Sequence, residues 1–277
     1  VENFPGFANG IQGPELMMEM RQQSINSGTT IHTKTVDKVD LSSSPYKVFV
    51  GDDIYLTKTV IISTGATAKR LHITGEDSYW QKGISACAVC DGGLPLFRNQ
   101  PLVVIGGGDT AVEEATYLSK FGSSITLLVR RDALRASKVM QERLHADPKV
   151  TIKWHTEALE AKGDGLLNSL KIINNQTQET EEIPAKGLFY AIGHQPNTEF
   201  LDGQLELDDT GYILTKPDST QTTLPGVFAC GDVQDKIWRQ AVTAAGTGCM
   251  AALEAEQRRR LAASAQRSLK VLGFYTG

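Results

Sequence analysis

The sequence predicts an α/β protein in which one domain is inserted within another. Three observations carry this expectation. A complete βαβ pattern lies near the middle of the chain, β-rich stretches flank it on both sides, and strand-length apolar runs alternate with helical spacing, which argues for parallel sheets.

The elements follow in order. Pro14 suits the first turn of a helix, where its missing N–H costs nothing, and Leu16, Met17, Met20 and Ile25 supply a mostly apolar stripe. Residues 46–50 and 59–63 are strand-like, the second ending in Thr64-Gly65-Ala66. A loop with Cys87-Ala88-Val89-Cys90-Asp91 comes next, then a strand at 102–105, a helix over 110–121 with Ala111, Ala115 and Leu118 at helical spacing, and a second strand at 125–129. A helix is predicted over 135–144, and shorter β segments at 153–155, 169–173 and 187–192. The last strand, 226–229, leads into Gly231-Asp232, and a long helix starts at about Gln240.

Composition excludes several classes of function. Among 277 residues, 28 basic groups stand against 32 acidic ones, a formal charge of −4, which disfavours a polyanion-binding surface such as one for nucleic acid. No apolar run reaches the ~18 residues of a membrane helix, and no secretory signal pattern is present. Four cysteines are too few for a disulfide framework and suit a reducing compartment, read here as the cytoplasm, with an organellar form left open.

Two segments carry chemistry. Gly106-Gly107-Gly108-Asp109-Thr110-Ala111 follows a strand and opens a helix, the context that makes a glycine pattern a dinucleotide site. Gly106 permits the turn, Gly108 lets backbone approach a pyrophosphate, and Ala111 allows close helix–sheet packing, with the phosphates on the helix N-terminus at Asp109 and Thr110. An NAD site places an acid about 20 residues beyond the glycines. Here that region reads Val129-Arg130-Arg131-Asp132-Ala133-Leu134-Arg135. Arg130, Arg131 and Arg135 suit a 2′-phosphate, because guanidinium binds phosphate through charge-assisted hydrogen bonds, so NADPH is the expected nucleotide. Asp132 could pair with an arginine or cap the following helix.

Cys87-x-x-Cys90 could be a redox couple, half a zinc site or two core thiols. Structural zinc needs four ligands, and Cys230, Cys249 and the five histidines do not provide zinc-finger spacing. A thiol pair near a helix N-terminus has one depressed pKa. Asp91 could be a proton donor to a leaving thiolate or a helix N-cap. Dithiol and nicotinamide site together imply nucleotide-driven disulfide reduction, normally mediated by a flavin. Gly231-Asp232 and Arg239-Gln240-Ala241, at the start of a helix, form a second candidate anion and ring-edge site.

These strings resemble the low-molecular-weight NADPH-dependent thioredoxin reductases. The resemblance runs from Val1-Glu2-Asn3-Phe4-Pro5-Gly6-Phe7 to about Glu256 and includes Gly83-Ile84-Ser85-Ala86-Cys87-Ala88-Val89-Cys90-Asp91-Gly92, Ala191-Ile192-Gly193-His194 and the segments 231–235 and 239–248. It implies two Rossmann-like domains, an NADPH domain at 68–197 inserted into an FAD domain formed by 1–67 and 198–277, in a homodimer that reduces thioredoxin. It also implies that Cys90 faces the flavin, Cys87 attacks thioredoxin and Asp91 donates a proton. FAD contacts would include Asn3, the backbone at Val36, Cys90, Asp232, Arg239, Gln240 and Ala241; His194 would lie near the cofactors or be structural. Three features depart from the family. Its first βαβ unit, which holds the ADP half of FAD, has no counterpart, so the FAD domain is expected to be incomplete at its N-terminus. Arg258-Arg259-Arg260 and the tail through Leu272-Gly273-Phe274-Tyr275 are unusual, and Cys230 replaces a small residue. Another dithiol protein as acceptor, or a structural or regulatory subunit, are the competing readings.

Overall fold

The computed structural model describes the backbone of residues 1–271 and side chains as far as Leu261. In chain order the first segment carries α1 (Gly13–Asn26), β1 (Lys38–Asp40), β2 (Tyr46–Val50), β3 (Asp53–Thr57), β4 (Val60–Ile62) and β5 (Ala66–Ala68). Next come α2 (Glu76–Tyr79), β6 (Ile84–Ser85), α3 (Ala88–Asp91), β7 (Pro101–Ile105), α4 (Asp109–Leu118), β8 (Ser124–Val129), α5 (Lys138–His145) and β9 (Val150–Trp154). They are followed by β10 (Thr156–Asp164), β11 (Leu166–Asn174), β12 (Thr180–Pro184) and β13 (Gly187–Tyr190). The last segment has β14 (His194–Pro196), β15 (Val227–Ala229) and α6 (Ala241–Val271).

Two units emerge, Val1–Thr67 with Gln195–Gly277, and Ala68–His194. The return to the first unit thus lies at Gln195, ahead of the expected 198. The reason is Asn197, whose backbone N–H donates to Gly65 O at 3.0 Å, whose side-chain amide donates to Thr64 O at 2.8 Å, and whose side-chain oxygen accepts from Thr67 Oγ1 at 3.0 Å.

The inserted unit is built on a parallel sheet in the order β6-β13-β7-β8-β9. β7 is apolar throughout because both faces are covered. Leu102 and Val104 pack with Ala111, Val112, Ala115 and Leu118 of α4, whereas Val103 packs with Leu167, Leu170 and Ile172 of β11. All of these are at most 2% exposed, and each large aliphatic side chain so buried contributes roughly 2 kcal/mol. The second covering layer is the antiparallel meander β10-β11-β12, of which only 169–173 was expected. β10 reads Thr-Glu-Ala-Leu-Glu-Ala-Lys-Gly-Asp, with alanines where a strand usually shows large apolar residues, so its buried face carries little signal.

Two helix boundaries differ from expectation. α4 ends at Leu118 rather than 121, because the N–H groups of Lys120 and Phe121 turn back to Tyr117 and Leu118 in a tighter turn. α5 starts at Lys138 rather than 135. The N–H groups of Arg135 and Ser137 bond outside the helix, to Gly107 O at 2.6 Å and Asp109 Oδ1 at 2.8 Å. Ser137 is the N-cap, so Asp132 does not fill that position. Beneath β13 a buried charge is satisfied: Glu76, 2% exposed, accepts from Arg70 Nε at 2.5 Å and from Tyr190 Oη at 2.8 Å. Burial, reinforced by that carboxylate, pushes the Tyr190 phenol far above its ordinary value.

The first unit joins chain-distant strands. β4 pairs in parallel with β15, Val60 opposite Val227 and Ile62 opposite Ala229, over a core that includes Val39, Tyr46, Leu201, Leu205, Ile213 and Val233. β1, β2 and β3 form an antiparallel sheet of their own. On α1 only Leu16 is buried; Met17, at 62% exposed, and Ile25, at 44%, do not form the expected packed stripe. α6 is anchored by Glu254, which accepts from Ser219 Oγ at 2.7 Å and from the Thr220 N–H at 3.0 Å and hydroxyl at 2.5 Å. Arg259 and Arg260 pair with Glu256. Leu272, Gly273, Phe274 and Tyr275 lie outside the described residues.

Candidate active site

At the carboxyl ends of β7, β8 and β13 lies a cleft of about 460 Å³ lined by Gly106, Gly107, Ala191, Arg130, Arg131 and Arg135. This is the position at which open parallel sheets bind ligands, since β7 has a neighbour reached by each direction of winding. Gly106, at φ +150°, has no room for a side chain, because a Cβ would stand 2.6 Å from Ala191 O and 2.7 Å from the Ala111 Cβ. Gly108 is different. A Cβ there would meet nothing within 4 Å, so packing within the chain does not require a glycine, and close approach by a ligand supplies a reason for one. Ala111 is fully buried against β7, and the first N–H groups of α4, at Asp109 and Thr110, have no partner within the helix. The Asp109 carboxylate is engaged with Ser137. The cleft is also lined by Glu157, a carboxylate that sequence reasoning missed because it lies on β10, beyond the βαβ pattern.

In the same unit Cys87 and Cys90 form a disulfide. Cys87 is the N-cap of α3, and its Sγ accepts the Cys90 N–H at 3.2 Å. Asp91 is the last residue of this one-turn helix, which overturns the N-cap alternative for it. Instead its Oδ2 accepts the Ser85 hydroxyl at 2.6 Å, and Ser85 Oγ accepts the Cys87 N–H at 3.1 Å. Ser85, 3% exposed, therefore links the acid to the disulfide backbone. It sits in the string before the dithiol, but nothing about a lone serine there marks it.

The first unit holds a cleft of about 420 Å³ lined by Ser63, Cys230, Asp232, Arg239, Gln240 and Ala241. Gln240 and Ala241 open α6, whose first N–H groups and dipole favour anionic or carbonyl oxygens. Burial and the neighbouring Asp235 raise the Asp232 pKa against the opposing pull of Arg239. Arg239 adopts φ +45°, a left-handed conformation unusual for a large side chain, and its guanidinium bonds Lys236 O. Asn3 Nδ2 donates to Gln240 Oε1 at 2.8 Å, so this expected site residue joins the cleft through Gln240. Val36 is exposed ahead of β1 and is not among the lining residues, and Cys90 belongs to the other unit. Cys230 packs with Phe228 and Ala251, and burial pushes its thiol pKa up. A volume of this size, a helix N-terminus and a part-buried acid fit the polar end of a flavin.

Comparisons with known proteins bear on the family of the whole chain. The model of the pyridine nucleotide-disulphide oxidoreductase family matches residues 2–248. The thioredoxin reductase of Debaryomyces hansenii is 58% identical over 262 residues, covering 93% of this chain and 82% of that one. Among solved structures, thioredoxin reductase from Giardia duodenalis superposes with a TM-score of 0.85 at 43% identity, covering 94% of this chain and 85% of the other. The enzyme from Streptococcus pyogenes gives 0.84 at 38%, covering 94% and 84%. The chain belongs to the pyridine nucleotide-disulphide oxidoreductases, enzymes that use flavin and nicotinamide cofactors, and within them to the thioredoxin reductases.

Proposed function

We propose that this protein passes two electrons from NADPH, by way of FAD, to the Cys87–Cys90 disulfide and then to thioredoxin, acting as a homodimer in a reducing compartment. The observation that carries the reading is the disulfide standing in the same unit as the arginine-lined nucleotide cleft. When bound, the nicotinamide supplies a hydride and the flavin relays its electron pair to a disulfide. The remaining work falls to side chains. Arg130, Arg131 and Arg135 hold the 2′-phosphate, and the Gly106–Ala111 turn with the start of α4 receives the pyrophosphate. Asp232, Arg239, Gln240 and Ala241 hold FAD, with Asn3 positioning Gln240.

Two electrons break the Cys87–Cys90 bond and leave one thiolate and, with one proton, one thiol. Asp91 Oδ2 is engaged by Ser85, which leaves Oδ1 as the atom able to carry that proton. The Cys87 thiolate attacks the acceptor disulfide, forming a mixed disulfide, and Cys90 then displaces the reduced acceptor. One NADPH and one proton are consumed for each disulfide converted to a dithiol. Val89, 58% exposed between the two cysteines, and Leu94, 46% exposed just after them, suit an apolar protein surface rather than a small acceptor.

The test is NADPH oxidation by the flavin-loaded protein with thioredoxin as acceptor and a dye reporting dithiol formation. Turnover that depends on thioredoxin is expected; its absence overturns the assignment. Faster turnover with a peroxiredoxin or a glutaredoxin-like acceptor favours a different dithiol partner.

A further inference from the structure

The three arginines of the nucleotide cleft sit on a segment with no regular structure, between the end of β8 at Val129 and the start of α5 at Lys138. Their placement depends on what holds that backbone. The far end is tied to the glycine turn and α4 through Arg135 N–H to Gly107 O and Ser137 N–H to Asp109. The near end is tied to the meander. Asn175, in the β11–β12 turn, donates from Nδ2 to Arg130 O at 2.9 Å and to Glu157 Oε1 at 2.9 Å. Its backbone N–H donates to His155 O at 2.7 Å, and the His155 N–H donates to Arg131 O at 3.2 Å. Both partners of the side chain are acceptors only, which fixes the amide with its nitrogen toward them. The turn is itself held, because Asn174 Oδ1 accepts the N–H groups of Gln176 and Thr177.

We propose that Asn175 is the positioning residue for recognition of the nucleotide 2′-phosphate, holding the arginine segment by the Arg130 carbonyl while engaging the Glu157 carboxylate that lines the same cleft. The inference rests on reading that cleft as the NADPH site. Without the amide, the Arg130–Arg131 backbone loses its side-chain tie. Glu157 also loses its donor and becomes a carboxylate competing with phosphate for the nearby guanidiniums.

The test is calorimetric binding of two probes, adenosine 2′,5′-bisphosphate and ADP, to the full chain. Asn175→Ala is expected to weaken the bisphosphate by about fivefold or more and ADP by less than about twofold, as loss of one or two hydrogen bonds would do. Asn175→Asp, of nearly the same size but placing an acceptor against two acceptors, should weaken the bisphosphate at least as much. Adding Glu157→Gln to Asn175→Ala should recover part of the loss. Unchanged bisphosphate binding, or an equal loss for both probes, overturns the proposal. A wild-type protein that binds the two probes equally shows instead that the NADPH reading is wrong, and the inference falls with it.

Discussion

The two clefts are made in different ways. In the inserted unit, glycine turn, helix N-terminus and arginines belong to one stretch, Gly106 to Arg135, carried on parallel strands whose faces are both buried. In the first unit the cleft gathers Ser63, Cys230, Asp232 and Gln240 with Asn3, and the last contact spans 237 positions. One site is specified by a local motif on a continuous sheet. The other depends on side-chain hydrogen bonds between segments that meet only in the folded chain. Substitutions in the inserted unit should therefore alter chemistry and nucleotide choice sharply, while those in the first unit should produce graded losses of flavin or of stability.

The largest effect is expected at the disulfide. Cys87→Ser should abolish thioredoxin reduction, to below about one thousandth of wild type, because interchange needs the attacking thiolate. Flavin reduction by NADPH, followed by stopped-flow absorbance, should survive. Loss of both would place Cys87 in the earlier electron step and blur the division of labour between the cysteines. The next effect is on nucleotide choice. Arg130→Ala with Arg131→Ala should raise KM for NADPH by roughly tenfold or more per residue, since each charge-assisted hydrogen bond is worth about 1.5–3 kcal/mol, and leave KM for NADH nearly unchanged. Equal effects on the two nucleotides would remove the 2′-phosphate from the account.

In the first unit the effects should be smaller. Asn3→Ala removes one hydrogen bond, to Gln240 Oε1, which positions a residue at the start of α6. A single neutral bond is worth about 1 kcal/mol, so flavin dissociation measured by fluorescence should tighten or loosen by no more than about tenfold, with weaker binding expected. A complete loss of flavin would mean that Asn3 touches the cofactor directly and would narrow the contrast between the clefts.

What could be read in the sequence follows the same division. The glycine turn and the strand and helix around it were legible because their signal is local, a strand-length apolar run, a turn and helical spacing within one stretch. So were Arg130, Arg131 and Arg135, although the start of α5 was not, because two N–H groups expected inside the helix are taken by Gly107 and Asp109. Glu157 and Asn175 were invisible, since their meaning comes from each other and from Arg130, segments apart in the chain, and Ser85 was invisible because a lone serine near Asp91 carries no pattern. Buried Glu76 was equally silent: its partners are Arg70 and, 114 positions away, Tyr190. The exposed methionines of α1 mark the opposite failure, an apolar pattern with no matching face among the described residues of the chain.

The smallest effect expected is at Glu254, and it tests whether the first unit owes its order to such side-chain ties. Burial works against this carboxylate, but hydrogen bonds from Thr220 and Ser219 outweigh it and hold its pKa below the ordinary value of 4.5. A carboxyl group whose pKa falls on folding contributes stability above its unfolded pKa and loses it as pH drops through the folded value. Glu254→Gln should therefore lower stability at pH 7 by about 1 kcal/mol, seen as a shift of the thermal transition of the first unit. The gap between variant and wild type should close in acid, below the ordinary carboxylate range. A gap that persisted unchanged into acid would show that the tie acts through shape rather than charge. No gap at neutral pH would mean that α6 is held by the packing of Ala251 with Phe228 and Cys230, leaving its hydrogen bonds to Ser219 and Thr220 as passengers.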